Sequence, residues 1–592
     1  MISKSKVKID LSRDALFDEM GIRRLKDSYM RPDEKSPQER FSYVARALAS
    51  NPEHAQRLYD YASKHWLSFS TPILSYGTSK KGLPISCYLS YIEDSAEGLV
   101  DAVAEVAWLS MLGGGVGIGV GIRSEDDKSV GVMPHLKTYE TLSLAYRQGK
   151  TRRGSFAAYL PIDHPNVAQF IEMRKATGDT NQRCLELHHG LNISDKFMEL
   201  IEKCMKDENK DDSWELIDPH SKKVKQVVSA KQLWESILET RMRTGEPYIH
   251  FIDASNRALP DYQKALGLSV RQSNICTEIT LATDAERTAV CCLSSFNLVY
   301  WHEWKDNYQF YRDVAELLDN ALELFIKKAP KTVRRAAYSA MRERAIGIGA
   351  LGFHALLQQE NIPFESAQAV GLNHQIFGRY KKYLDQANRE LAAERGDCPD
   401  AKGLGIRFSH TIAIAPNASS SIIMGNTSPS IEPFRGNAYR QDTLSGSFLN
   451  KNPYLDKLLK ARLDSRAYEK AWHTVVASAG SVGGLHADGI LSDWERDVFK
   501  TATELDQAWL VQHAADRQQY IDQAQSLNLF FSADAEIDYL HHVHYEAWKK
   551  GLKTLYYCRS DKIYHGESMN KKIERVKIEF TKTTEEGCLA CE

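Results

Sequence analysis

Between about Pro72 and Glu432, short β-prone runs alternate with longer helical patterns, and this alternation constrains the fold more than any other feature of the chain. Parallel strands need long, usually helical crossovers, so the middle of the chain reads as an α/β architecture. Phe310 to Ala329, closed by Pro330, is the clearest helix: Val314, Leu317, Leu318, Ala321, Leu324 and Phe325 fall on one face. From Leu11 to about Leu67 apolar residues recur at helical spacing, and Ser36-Pro37-Gln38-Glu39 reads as a helix start. That stretch predicts a helical N-terminal domain. Residues from about 450 to 525 are helix-rich, and Gln525 to Phe531 returns to extended character. After Tyr557 the chain turns polar; apart from the alternating Val576 to Phe580, it reads as a mobile tail.

The charge balance, 76 basic against 78 acidic side chains and a net charge of −2, provides no global field for nucleic acid or an anionic membrane. A nucleotide would have to be held in a local pocket. No apolar run reaches membrane-spanning length, and the first residues lead into charge rather than a signal-peptide core, so an intracellular, cytoplasmic protein is expected. Ten cysteines in 592 residues are too few for a secreted disulfide scaffold. No histidine stands at zinc-finger spacing from a cysteine pair, so no metal site is expected.

One cysteine sits in a pattern that is not a core pattern. In Asn274-Ile275-Cys276-Thr277-Glu278 the residues two apart would share a face if the segment were extended, so Asn274, Cys276 and Glu278 would point into one space while Ile275 and Thr277 pack behind. A neighbouring carboxylate opposes ionisation of a thiol. A neutral thiol beside a base suits hydrogen-atom chemistry better than attack on a carbonyl. A buried cysteine beside surface polar residues is the bland alternative.

Three glycine- or serine-rich runs bear on ligand binding. Leu112 to Gly121 is dense enough in glycine for backbone amides to approach a sugar or phosphate, or for a tight strand-turn-strand packing. Gly347 to Gly352 satisfies GxGxxG, but a helix rather than a strand precedes it and no acidic residue follows at the right distance, so a closely packed barrel strand is expected in place of a dinucleotide site. Pro416 to Ser421 is a hydroxyl-rich turn that would cradle a phosphate at a helix start, or would be an ordinary serine cap.

Tyr556-Tyr557 lies in a strand-like run, where a plain sheet would bury one ring and expose the other. Cys588-Leu589-Ala590-Cys591 on the polar terminus has neither further ligands nor a core to fill, and reads as a redox shuttle.

Together these pieces resemble the catalytic large subunit of ribonucleotide reductase over nearly the whole chain. The residues that carry the resemblance are SNICTEI at Ser273 to Ile279, CCLSSFNL at Cys291 to Leu298, APNASSSI at Ala415 to Ile422, AADRQQYIDQAQSLNLF at Ala514 to Phe530, LKTLYY at Leu552 to Tyr557, and the terminal CxxC. The resemblance implies a ten-stranded α/β barrel with a central finger loop carrying Cys276, preceded by the helical N-terminal domain. The expected boundaries are 1–70 for the helical domain, 71–560 for the barrel and its helical additions, and 561–592 for the redox tail.

Carried over by that resemblance, Cys276 is the thiyl-radical position that removes the ribose 3′ hydrogen, Glu278 is the base on the 3′ hydroxyl, and Asn274 binds the substrate's hydroxyls. Cys87 and Cys291 are similar to the pair that becomes a disulfide when the 2′ hydroxyl leaves as water, with Cys292 the alternative to Cys291. Ser70, Thr71, Gly114, Gly115, Asn417, Ala418, Ser419 and Ser420 would hold the substrate. Tyr556 and Tyr557 resemble the relay that receives a radical from a separate metal-containing small subunit, so the chain itself would bind no cofactor; an adenosylcobalamin-dependent enzyme without a small subunit is the alternative. Cys588 and Cys591 would be reset by thioredoxin or glutaredoxin. Lys175 to Gly190, with Asp179, Gln182 and Arg183, resembles the loop that answers dNTP or ATP specificity effectors, with dimerisation around it. The regulatory ATP-binding module of larger members is expected to be absent, and the short chain would suit a compact genome such as a virus.

Two readings from other classes compete: a nicotinamide oxidoreductase resting on Gly347 to Gly352, and a redox interaction protein using only the terminal CxxC. Neither accounts for the Asn-Cys-Glu triplet, the serine turn and the tail together.

Overall fold

The computed structural model describes residues 7–78, 82–146, 154–207, 209–443 and 446–560. Val576 to Phe580 and the Cys588/Cys591 pair therefore lie outside the described residues.

The N-terminal helices start where their caps are written. Ser36 caps helix Pro37–Leu48, Glu39 bonds back to the Ser36 amide, and Pro37 fills the first turn. That helix and its neighbour Pro52–Ser63 bury Phe41, Val44, Leu58 and Tyr59, and helix Glu19–Ser28 precedes them.

Five parallel strands follow in sequence order and in spatial order: Cys87–Ile92, Gly115–Val120, Phe156–Pro161, His188–Ile193 and Tyr248–Phe251. They are almost wholly buried, as expected for strands covered on both faces. A second set begins with Ala289–Asn297, parallel to Ile346–Leu351. Its later members are less regular: 410–415 bonds to the Ile346 strand, 523–526 bonds to 412–414, and Tyr556 and Leu529 link 527–529 to 556–557. Antiparallel seams join the two sets, Cys87 opposite Cys291 at one and Thr554 opposite His250 at the other. The circuit of ten segments is the barrel that the resemblance implies, with Leu67–Phe69 pairing farther along the Ala289–Asn297 strand.

Helix Tyr308–Lys328 buries Val314, Leu317, Leu318, Ala321 and Phe325, and Leu324 packs at its edge. Arg334–Glu343 is a helix and Ile346–Leu351 a strand, so GxGxxG is barrel backbone. A Cβ at Gly347 or Gly349 would lie 2.9 Å from the Ala413 Cβ or carbonyl, which explains the glycines by close strand approach. Residues 438–499 build a separate small core around Leu455, Leu459, Trp472 and Val475. No helix among the described residues is long and apolar enough to cross a membrane.

Candidate active site

Residues 272–280 run through the inside of the barrel and touch both halves of it. Gln272 donates to the Ser90 carbonyl at 3.1 Å, the Tyr159 hydroxyl to the Asn274 carbonyl at 2.6 Å, and the Ala524 amide to the Glu278 carbonyl at 2.9 Å. The loop fits because Gly117 has no side chain: a Cβ there would stand 2.0 Å from the Ser273 carbonyl oxygen. The glycine-rich run is thus used, at Gly117 and at Gly119 beside Gln272, for packing against this loop.

The triplet does not present its residues by strand alternation. Ile275 and Cys276 form a turn, Thr277 adopts a left-handed backbone with φ of 67°, and the Thr277 amide bonds to the Asn274 carbonyl at 3.3 Å. The Asn274 side chain closes the turn by accepting the Ile279 amide at 3.1 Å. A tight turn, not an extended run, therefore aims the three polar side chains, and Asn274, Cys276 and Glu278 are all fully buried.

Each then meets a different partner. The Asn274 amide reaches the Cys87 sulfur at 3.3 Å, the Tyr556 hydroxyl reaches the Cys276 sulfur at 3.6 Å, and the Ser526 hydroxyl donates to Glu278 at 3.2 Å as well as bonding to the Cys276 carbonyl. Cys87 and Cys291 are direct cross-strand partners, the kind of pair whose Cα separation suits a disulfide. Burial pushes the Cys291 thiol far above its ordinary range although Gln523 points its amide at the sulfur from 3.6 Å. Cys292, one residue on, faces the outer core and the Pro84 carbonyl. Alternation along the strand separates two cysteines that the sequence left as alternatives.

Both tyrosines are buried, contrary to the plain-sheet expectation, because they follow the short strand Thr554–Leu555 instead of belonging to it. Their ring centroids are 4.3 Å apart, and Tyr248 packs on both, at 4.8 and 5.1 Å. Cys276, Tyr556 and Tyr557 are all buried, and their side chains form a continuous row from the sulfur to the Tyr557 ring.

The serine turn starts a short helix, Ala418–Ile423, with Ser419 and Ser420 buried and Ala418 exposed. Asn417, left-handed at φ of 56°, spends its side chain on the Ala350 and Ala415 carbonyls and accepts from Ser295. It serves as framework more than as an open ligand. Helix Glu19–Ser28 joins this turn to the other proposed substrate segment: Arg24 donates to Ser419 at 2.7 Å, while Tyr29 meets Thr71 at 3.3 Å. Ser70, at the cap of helix Thr71–Leu74, keeps a buried hydroxyl with no partner among the described residues. Gly114 lies against the Tyr88 ring, where a Cβ would approach to 2.1 Å, and the Gly115 amide bonds to the Ser86 carbonyl.

Asp179 and Arg183 flank a single 3-10 turn, Thr180–Gln182, that Gln182 ends; Asp179 caps it and Arg183 bonds back to the Thr177 carbonyl. His54, Asp313 and Glu316 have metal-ligand character and lie together, but Arg57 pairs with Asp313, and Arg312 and Arg395 pair with Glu316, making an ion-pair network.

Sequence reasoning gave no roles to Gln523, Ser526, Tyr248 or Arg24. Gln523 and Ser526 stand inside a motif quoted for its likeness, whereas Tyr248 and Arg24 carry no local signal at all.

Residues 15–82 match the family described as ribonucleotide reductase, all-alpha domain, and residues 85–403 and 400–558 match ribonucleotide reductase, barrel domain. The ribonucleoside-diphosphate reductase large subunit of Invertebrate iridescent virus 3 is 50% identical, over 99% of this chain and 100% of that one. The corresponding large subunit of Danio rerio is 31% identical, over 93% of this chain and 76% of its own length. Among solved structures, the Actinobacillus ureae class Id ribonucleotide reductase alpha subunit superposes with a TM-score of 0.81 at 32% identity, covering 94% of this chain and 98% of that one.

Proposed function

The chain belongs to the ribonucleotide reductase large-subunit family, and on that premise we propose that it reduces ribonucleoside diphosphates with Cys276 as the radical-bearing residue. The named relatives are large or alpha subunits, which fits a separate radical-generating small subunit and not the cobalamin-dependent alternative. The observation that carries the residue assignment is the row Cys276, Tyr556, Tyr557, whose first contact is the 3.6 Å approach of the Tyr556 hydroxyl to the sulfur.

In this reading the Cys276 thiyl takes the ribose 3′ hydrogen, and Glu278 takes the proton of the 3′ hydroxyl, which makes loss of the 2′ hydroxyl as water much easier. Cys87 and Cys291 supply two electrons and two protons and become a disulfide. Cys588 and Cys591 would reduce that disulfide by thiol exchange and be reset by thioredoxin or glutaredoxin. Ser419 and Ser420, with Arg24 adding a positive charge, would hold the diphosphate, and Ser70 and Thr71 would complete the cradle. Asp179, Gln182 and Arg183 would relay a dNTP or ATP effector, in a homodimer. A cytoplasmic location fits the absence of a membrane-spanning helix among the described residues.

The test is CDP reduction with dithiothreitol, run with the small subunit, with adenosylcobalamin, and with Cys276→Ser. Turnover that needs the small subunit and vanishes in Cys276→Ser supports the reading. Turnover with cobalamin alone, or unchanged turnover in Cys276→Ser, overturns it.

A further inference from the structure

Tyr557 is flanked by a buried acid that the reaction above does not use. Glu246 is 1% exposed, and its carboxylate lies 2.6 Å from His188 Nδ1. The same nitrogen is 3.2 Å from the Tyr248 hydroxyl and 3.5 Å from the Tyr557 hydroxyl. The other carboxylate oxygen accepts the His189 amide and meets His189 Nδ1, both at 3.0 Å, with Arg174 Nε at 3.6 Å. An ion pair can explain the burial of Glu246, but it does not explain why two tyrosine hydroxyls converge on the imidazole that the acid holds.

We propose that Glu246, reached through Tyr248 and His188, is the proton acceptor for Tyr557 during radical transfer. The proposal rests on the relay reading given above. Tyr557 gives one electron to an oxidised residue of the radical-generating subunit, and its O–H bond breaks. With both ring nitrogens of His188 protonated at the start, the Nδ1 proton first crosses to Glu246 Oε1, forming a carboxylic acid and leaving a neutral imidazole with a bare Nδ1. That nitrogen then takes the Tyr557 proton, directly or by way of the Tyr248 hydroxyl, and His188 is again doubly protonated. Tyr557 then takes a hydrogen atom from Tyr556, and Tyr556 takes one from Cys276. One proton therefore stays on Glu246 for as long as the radical is inside the chain, and it returns to Tyr557 when the electron does.

The electrostatics suit a temporary acceptor. Burial opposes ionisation of Glu246, but Arg174 and His188 outweigh it and hold the carboxyl well below its ordinary range, with Arg241 a further cation nearby. The acid therefore rests in the ionised form that can accept. A phenol that has lost an electron is a very strong acid, so even a weakly basic carboxylate takes its proton, and weak basicity lets the proton go back. Burial and the Glu246 charge hold the Tyr557 phenol well above its ordinary range, so its proton stays in place until the electron leaves and then needs a nearby acceptor.

The experiment uses the complete enzyme with its small subunit, CDP and a dithiol between pH 6 and 9. Glu246→Gln keeps the size of the side chain and removes the acceptor, Glu246→Asp restores a carboxylate, and Tyr557→Phe tests the relay itself. The expected result for Glu246→Gln is a kcat lower by about 100-fold at pH 7, KM for CDP unchanged, and a rate that climbs with pH as solvent base substitutes. Glu246→Asp should regain much of the loss and the flat profile. A Glu246→Gln kcat within about twofold of wild type overturns the proposal, as does a loss that brings an equal change in KM and Tm with no new pH dependence. Activity in Tyr557→Phe would overturn the relay reading. An inactive Tyr557→Phe beside a near-normal Glu246→Gln would remove only the acceptor role.

Discussion

The Tyr556 hydroxyl stands 3.6 Å from the Cys276 sulfur, while the Tyr556 ring lies 4.3 Å, centroid to centroid, from that of Tyr557. Sulfur and hydroxyl are close enough to exchange a hydrogen atom without moving the backbone. Tyr556→Phe keeps the ring, its packing on Tyr248 and the buried volume, and deletes only the oxygen. Turnover should fall by about 1,000-fold or more, with nucleotide affinity unchanged and stability altered by no more than about 1 kcal/mol. Steady-state kinetics beside a thermal melt check this; residual activity above a tenth of wild type would exclude Tyr556 from the path.

Adjacent cysteines on one strand should behave oppositely. Cys291 faces Cys87 inside the barrel and Cys292 faces the Pro84 carbonyl in the outer core. Cys291→Ser should leave less than about 1% of dithiol-dependent turnover, whereas Cys292→Ser should stay within about threefold of wild type. Thiol counting after a single turnover gives an independent readout: wild type and Cys292→Ser should each lose two titratable thiols to the new disulfide, and Cys291→Ser none.

Much of this arrangement was legible in the chain, for reasons that differ from residue to residue. The Ser36 cap and the Pro330 stop are local chemistry, so the ends of their helices could be read directly. GxGxxG was assigned to a strand because the helix before it could be read from Arg334 to Arg344. The Asn-Cys-Glu spacing points to one shared face on an extended segment, and the structure differs: a left-handed Thr277 and an Asn274 side chain closing its own turn cannot be seen in residue spacing. Tyr248 and Glu246 were invisible because they join Tyr557 only through the barrel's closing seam, about 310 residues away in sequence. Non-local contacts of that length leave no periodic signal.

Gly117 tests whether the barrel interior is built around the loop. A methyl group there would meet the Ser273 carbonyl at 2.0 Å and the Asn274 Cα at 2.8 Å, both backbone, so no side chain can swing aside. Gly117→Ala should cost about 3 kcal/mol or more and displace Asn274 from Cys87. Chemical denaturation measures the first effect. Activity should be lost even where the variant remains folded, whereas Gly371→Ala, inside helix Ala367–Arg395 with open space around it, should leave activity unchanged and add about 0.5–1 kcal/mol of stability.

Glu432 gives the pH prediction. Its carboxyl is buried and accepts from Asn528 at 2.5 Å, and Asn528 in turn accepts the Tyr557 amide at 3.1 Å. Burial raises its pKa from 4.5 to about 7 against the opposing pull of Arg435 and Arg559. The folded state therefore holds a proton that the unfolded state has released between those two values. Stability from this group is complete below pH 4.5 and is lost as pH rises through about 7. Glu432→Gln keeps the acceptor for Asn528 and cannot ionise. Relative to wild type it should gain stability steadily from pH 5 to pH 7.5, by up to roughly 3 kcal/mol, and stop gaining above that. Using the difference between the two proteins cancels the buried histidines, whose contributions run the other way with pH. Urea denaturation of both proteins at each pH gives the slope; parallel stability curves would mean that Glu432 is ionised in the folded enzyme.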